Sequence, residues 1–164
     1  MIKIGVLSDT HFAGVQESLP FLERLTTQYF DDCEIILHAG DLVDPAILLA
    51  FGQRQVYAVQ GNMDAAATGI PLRRIVEVGG FRIGLVHGWG PPAGLEERVL
   101  KEFHGERIDG VVYGHSHHPL CVRRGGILLF NPGSPTDRRR APFHSVGILS
   151  AGASLEGRIL HIDH

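Results

Sequence analysis

Cysteine is scarce in this chain: only Cys33 and Cys121 occur among 164 residues, far apart in sequence. They make neither a paired-cysteine zinc spacing nor a disulfide framework, so a reduced, intracellular compartment is expected. Long apolar runs are also missing. No stretch approaches the ~20 residues that span a bilayer. The opening segment from Met1 to Leu7 reads as a strand too short for a signal-peptide core. A cytoplasmic location without membrane association is therefore expected. Nor is there an excess of positive charge: 15 Lys and Arg stand against 18 Asp and Glu, a net charge of −3 with His neutral. That argues against long nucleic acid as a partner. A nucleotide-sized substrate stays compatible, because bound metals can supply local positive charge.

What the chain does have is glycine, 21 residues of it, in a composition that is 44% hydrophobic and 20% charged. This is the range of a soluble domain, and one domain over 1–164 is expected, with many tight turns between short elements. Ile2 to Leu7, Glu34 to Ala39 and Gln55 to Val59 read as buried strands. A helix is expected from about Ser18 to Phe30, with Ser18 as N-cap and Pro20 in the first turn, and a short one after Asp44-Pro45. Gly79-Gly80 between two apolar alternating runs signals a hairpin. A further helix from Pro92 to about Phe103 precedes a strand through Val112, and the remainder is strand-rich. The expected class is α/β, two stacked mixed β-sheets flanked by helices in a four-layer αββα sandwich.

The polar residues fall just beyond the strand ends. Asp9 and His11 follow the first strand, Asp41 the second, Asn62 the third; His87 closes the hairpin, and His115 and His117 follow the strand through Val112. Ligands of open α/β sheets gather at the carboxyl ends of parallel strands. Two carboxylates, an amide carbonyl and four imidazoles form an oxygen–nitrogen shell without thiolates, suited to Mn, Fe, Zn, Ni or Co rather than Cu(I) or Ca. In Asp9-x-His11 and His115-x-His117, residues two apart on extended backbone would share a face. Seven groups are too many for one catalytic metal with an open position, but suit two ions sharing a carboxylate.

Taken singly, each pattern is a common turn; taken in order, Asp9-x-His11, Gly40-Asp41, Gly61-Asn62-x-Asp64, His87-Gly88 and Gly114-His115-x-His117 resemble the motif set of the calcineurin-like metallophosphoesterases. The small, single-domain bacterial and archaeal phosphodiesterase branch is the nearest in order and spacing. The resemblance implies one metal held by Asp9, His11, Asp41 and His117, and another by a bridging Asp41 with Asn62, His87 and His115. It implies hydrolysis of a small phosphodiester or nucleotide-like substrate by a hydroxide that bridges two divalent ions, manganese first among the candidates. Asp41, Asn62 and His87 would then be the catalytic core. At position 63 many members carry a proton-donating His; Met63 cannot donate, which points to diesters with good leaving groups. Asp64, the usual partner of that His, is expected to orient His11 or a loop amide.

Other residues carry weaker expectations. His87 sits in an apolar strand and could equally be a satisfied core histidine, while His38 is expected to pack or to hydrogen-bond a loop. Trp89 could wall a pocket and stack on an aryl group or nucleobase, and His118 is expected on a solvated rim. Asn131-Pro132-Gly133-Ser134 resembles a loop beside the family's metal site and reads structurally as a turn. Arg138-Arg139-Arg140 after it reads as a solvated loop or a phosphate-steering rim. His104, His144, His161 and His164 carry no pattern. The competing functions are a protein-interaction scaffold, as in the retromer subunit on this fold, and a nuclease, disfavoured by the charge balance. A homo-oligomer is compatible with the sequence.

Overall fold

The structure is a computed structural model that describes residues 1–11, 15–66 and 69–162; His164 lies outside them. Ten strands divide into two five-stranded sheets. In the first, β1 (Ile2–Leu7), β2 (Ile35–His38) and β3 (Gln55–Ala58) run parallel, and β9 (His144–Ala151) and β10 (Leu155–Ile162) extend it antiparallel beyond β1. In the second, β5 (Phe81–Val86), β6 (Gly110–Val112) and β8 (Ile127–Asn131) are parallel, edged by antiparallel β4 (Arg73–Val78) and β7 (Leu120–Arg124).

Alternation along the strands sends side chains to two different cores. Ile4 and Val6 of β1 meet Ile83, Leu85, Val112 and Phe130 of the second sheet in the core between the sheets. Ile36 and Val146 face outward, where Leu22 and Leu25 of helix α1 (Val15–Tyr29) and Ile47 and Phe51 of a 3-10 helix (Pro45–Phe51) cover them. On the far side, Leu95 and Val99 of helix α2 (Leu95–Lys101) pack with Val111 and Leu129. The layers are helix, sheet, sheet, helix. No described helix is long and apolar enough to cross a membrane.

Local details differ from the sequence expectations. Helix α1 is already formed at Val15, so Ser18 is a buried residue within it and not the N-cap, and Pro20 lies inside the helix. Asp44 does cap, its carboxylate accepting from the Ala46 amide, but the helix it starts is 3-10. Helix α2 is shorter than expected because Gly94, with φ 78°, starts it late, and past Lys101 the amides of Phe103 and His104 turn to carbonyls three residues back. The hairpin forms as expected, Gly79 and Gly80 both at positive φ.

The registers matter most for the site. Leu7 pairs with His38 and His38 with Ala58. Leu85 pairs with Val112 and Val112 with Phe130. The carboxyl ends of six parallel strands are thus level, three in each sheet, and their loops open onto the same end of the sandwich.

Candidate metal centre

The loops after β1 and β2 are tied by the Asp9 amide to the Gly40 carbonyl (2.9 Å) and the His11 amide to the Asp41 carbonyl (3.1 Å). Those after β5 and β6 are tied by the Gly114 amide to the His87 carbonyl (3.0 Å). The two sheets meet at Asp9, whose Oδ2 accepts from Ser8 Oγ (2.7 Å) and from the His115 amide (3.0 Å). Ser134 Oγ donates to the Asp9 carbonyl (2.8 Å) and Thr136 Oγ1 to that of Thr10 (2.7 Å), which fixes the loop from the other side.

Asp9 Oδ1 is different. It is buried and, among the described residues, is the one buried side-chain polar atom without a hydrogen-bond partner. Around it stand three imidazole nitrogens: His117 Nε2 at 3.4 Å, His87 Nε2 at 3.6 Å and His11 Nε2 at 3.8 Å. Asp41 Oδ2 lies between His87 Nε2 (3.3 Å) and His11 Nε2 (3.4 Å), while its Oδ1 accepts from the Met63 amide (2.8 Å). Asn62 Oδ1 is 3.1 Å from His87 Nε2. His11 and His117 point their Nε2 atoms at each other across 3.2 Å.

Three of the imidazoles are fixed at their other nitrogen by a backbone carbonyl. His87 Nδ1 donates to Ala39 (2.7 Å), His117 Nδ1 to Asp137, and His115 Nε2 to Gly90 (2.9 Å). Such bonds select the tautomer and leave the remaining nitrogen as a ligand lone pair, as behind metal-bound histidines generally. Both ring nitrogens of His87 thus have polar neighbours, Nδ1 the Ala39 carbonyl and Nε2 Asn62 Oδ1 and the Asp41 and Asp9 carboxylates.

The electrostatics favour a cation. Burial raises the Asp9 carboxyl, but the attraction of His11 and His117 and the charge of His87 outweigh it and hold the group far below the usual carboxylate range. Burial also raises Asp41, yet His87 and the Met63 amide bring it below its ordinary value. His11 is raised, chiefly by Asp9. At His87 burial favours the neutral ring, but Asp41 and then Asp9 raise it to about 8. Burial lowers His115. Two buried carboxylates thus favour positive charge on His11 and His87, and a divalent ion meets the same demand. Asp9, His11 and His117 form one group able to hold an ion, and Asp9, Asp41 and His87 another.

The backbone is strained where the candidate ligands sit. Asp9, His11, Asp41, His115 and His117 all have φ between 50° and 73°, a left-handed region that costs non-glycine residues energy and recurs at functional sites. Asp9 and His11, and likewise His115 and His117, therefore converge through left-handed loop backbone, not through the alternation of an extended segment. Glycines clear the space: a Cβ on Gly61 would stand 2.2 Å from Asp41 Oδ1.

Asp64 accepts from the amides of Asp41 (2.9 Å), Val43 (2.7 Å) and Gly61 (2.8 Å), so it orients the loop and not His11. Asp64→Ala strips three amides of their acceptor and is expected to cost about 2–4 kcal/mol in denaturant unfolding. Met63→Ala is expected to change stability by less than about 0.5 kcal/mol, since the Met63 side chain is 54% exposed and its amide does the work.

His38 is fully buried; its Nδ1 accepts from the Gly40 amide (3.1 Å) and its Nε2 meets Thr10 Oγ1 (3.2 Å), as a loop-bonding histidine should. Burial pushes it down to about 4. Because the folded value lies below the unfolded one, its contribution is complete above about pH 6.5 and is lost as pH falls toward 4, about 3 kcal/mol at most. His38→Asn is expected to flatten this part of the stability–pH curve, measured by chemical denaturation.

Asn131 donates to the Gly114 carbonyl (3.2 Å) and Ser116 Oγ (3.1 Å) and accepts from the Gly133 amide, holding the His115 loop. Arg138 turns back to the Ala141 carbonyl (2.8 Å), whereas Arg139 and Arg140 line a cavity with His115 and His118. Trp89, 45% exposed, lines a second cavity with Asn62 and His87. Sequence reasoning missed Ser8, Thr136 and the three backbone carbonyls behind the imidazoles.

Comparison with known proteins places the chain in a family. A family model described as the calcineurin-like phosphoesterase superfamily domain matches residues 2–153. A probable metallophosphoesterase of Methanocaldococcus jannaschii is 36% identical over 164 residues, spanning 98% of this chain and 81% of that protein. The structure of an archaeal phosphodiesterase superposes with a TM-score of 0.72 at 23% identity, over 98% of this chain and all (100%) of that one. Vacuolar protein sorting 29 from Cryptosporidium parvum superposes at 0.73 with 20% identity, over 99% and 92%. At those identities the two structures attest the fold alone.

Proposed function

The chain belongs to the calcineurin-like phosphoesterase superfamily, and we propose that it acts as a phosphodiesterase through two divalent metal ions, manganese first, with Fe, Zn, Ni or Co as alternatives. Membership together with the ligand groups implies divalent metal; the pair of ions and the diester preference are the proposal. Asp9, His11, Asp41 and His117 would hold one ion, and Asp41, Asn62, His87 and His115 the other. The observation that carries this reading is Asp9 Oδ1, buried and unpartnered within 3.8 Å of three imidazole nitrogens. Asp41 as the shared ligand is supported by its Oδ2 lying nearly equidistant from His11 and His87.

When bound, such ions polarise the phosphoryl oxygens and acidify a water near neutral pH. The chain contributes preorganisation: carbonyl-locked imidazoles, strained loops and glycine clearances fix the ligands before substrate arrives. Position 63 offers a thioether to solvent where a proton donor would help a poor leaving group depart. Activated diesters, such as aryl phosphodiesters, are therefore the preferred class, with monoesters secondary.

The test is a phosphoester panel on metal-free protein reconstituted with Mn, Ni, Co, Zn or Mg. Hydrolysis of aryl diesters that depends on added metal is expected. Metal-loaded protein inert across the panel would instead favour a protein-interaction scaffold, the reading to which the likeness with vacuolar protein sorting 29 lends the shared fold.

A further inference from the structure

Two cavities adjoin the ligand cluster, one of about 540 Å³ and one of about 720 Å³, each large enough for an ester arm. The Gly88–Pro92 segment divides them: Gly88 and Trp89 line the first, Gly90 and Pro92 the second. Each has candidate metal ligands in its wall, Asn62 and His87 in the first and His115 in the second. A phosphate at the metal centre would thus have a cavity for each of its two ester substituents.

The cavities differ in chemistry. The first has Trp89 and the exposed Leu72 as apolar walls. Its acidic residues are Asp64, which accepts from three loop amides, and Glu102. Arg73, beside it, already donates to the Glu102 carbonyl (2.8 Å) and to Glu106 Oε2 (2.6 Å). The second cavity has Arg139, Arg140 and His118 and, among the described residues, no carboxylate in its lining. Among the described residues neither the Arg139 nor the Arg140 guanidinium forms an ion pair, although the Arg139 amide donates to Asp137 Oδ1 (3.2 Å). Arg139 is anchored to the His115 carbonyl (3.3 Å) and held at φ 47°. Two uncompensated guanidiniums at a cavity beside a phosphate site are suited to an anion.

We infer that the substrate is a phosphodiester with unlike arms: a flat, apolar arm against Trp89, and an arm carrying further negative charge against Arg139 and Arg140. This rests on the phosphodiesterase reading and narrows its substrate class.

The experiment compares two substrates with the same leaving group, the 4-nitrophenyl ester of thymidine 5′-phosphate with and without a 3′-phosphate. The added phosphate is expected to lower KM roughly 5- to 10-fold, a gain that shrinks as salt is raised. In Arg139→Ser/Arg140→Ser the ratio of the two KM values should fall to near one, and Arg140→Ser alone should at least halve it. A structural disturbance at His115 would move both KM values together and leave the ratio. Trp89→Ala should raise both KM values with the ratio kept. A ratio near one in the native protein, or one that survives in the double variant, overturns the anionic arm; unchanged KM values in Trp89→Ala overturn the flat one.

If neither ester is hydrolysed with any metal, the phosphodiesterase reading fails, and binding decides the substrate class by itself. Isothermal titration calorimetry reads that binding without turnover. Thymidine 3′,5′-bisphosphate should then bind the metal-loaded protein more tightly than thymidine 5′-monophosphate, with the same dependence on the two arginines. Equal affinities would overturn the inference.

Discussion

Asp9→Asn is expected to lower phosphodiester hydrolysis at least ~1,000-fold while leaving the metal-free protein folded. The two carboxylate oxygens have separate tasks. Oδ2 accepts from Ser8 Oγ and the His115 amide, and an asparagine carbonyl can take over both bonds. Oδ1 has no hydrogen-bond partner among the described residues and faces three imidazole nitrogens; an amide NH2 there offers hydrogens where an ion needs a lone pair. The substitution therefore removes a ligand without removing the loop's anchor. Thermal denaturation separates the two. Saturating metal, at about 100 times its Kd, stabilises a native protein by about 2.7 kcal/mol, or roughly 5–11 °C for a domain of this size. In the variant the increment should shrink to what the ion at Asp41, Asn62, His87 and His115 supplies, with the metal-free midpoint close to the native one. A variant that keeps both the increment and the activity would show that Asp9 is not a ligand.

Gly114→Ala is expected to cost about 2–4 kcal/mol and most of the activity. Its added Cβ would stand 2.0 Å from Ser8 Oγ and 2.5 Å from Asp9 Oδ2. Its backbone lies outside the positive-φ region, so the penalty is one of contact alone. Its amide and carbonyl are engaged with His87 and Asn131, so the loop cannot retreat cheaply. Ser8→Gly in the same chain removes the closest contact and should recover part of the stability, but not the activity, because Asp9 is still displaced. Stability unchanged in the single variant, by urea titration, would mean the two loops are less tightly apposed than the structure has them.

The candidate ligands are legible because residue type and place coincide: each follows an apolar strand, and level registers turn that sequence position into a shared location. The four layers were legible for the same reason, since strand alternation sets which face meets which core. How the ligands converge was not. Left-handed backbone at Asp9, His11, His115 and His117 replaces the extended geometry that a one-residue gap suggests. Acceptors such as the Ala39, Gly90 and Asp137 carbonyls have no side-chain signature. Ser134 reaches Asp9 across 125 residues, a pairing no local pattern encodes. The arginine run was read as a unit, but Arg138 returns to Ala141 while its neighbours line the cavity. At the start of α1, Ser18 looked like a cap because a proline follows two residues later, yet it is buried inside the helix.

The account stands most directly on where metal binds. Crystals of the protein grown with manganese, measured at a wavelength where manganese scatters anomalously, should show two peaks between the strand ends. One should lie against Asp9, His11 and His117, the other against Asn62, His87 and His115, with Asp41 touching both. A single peak, or manganese away from Asp9 and Asp41, would contradict the two-ion centre.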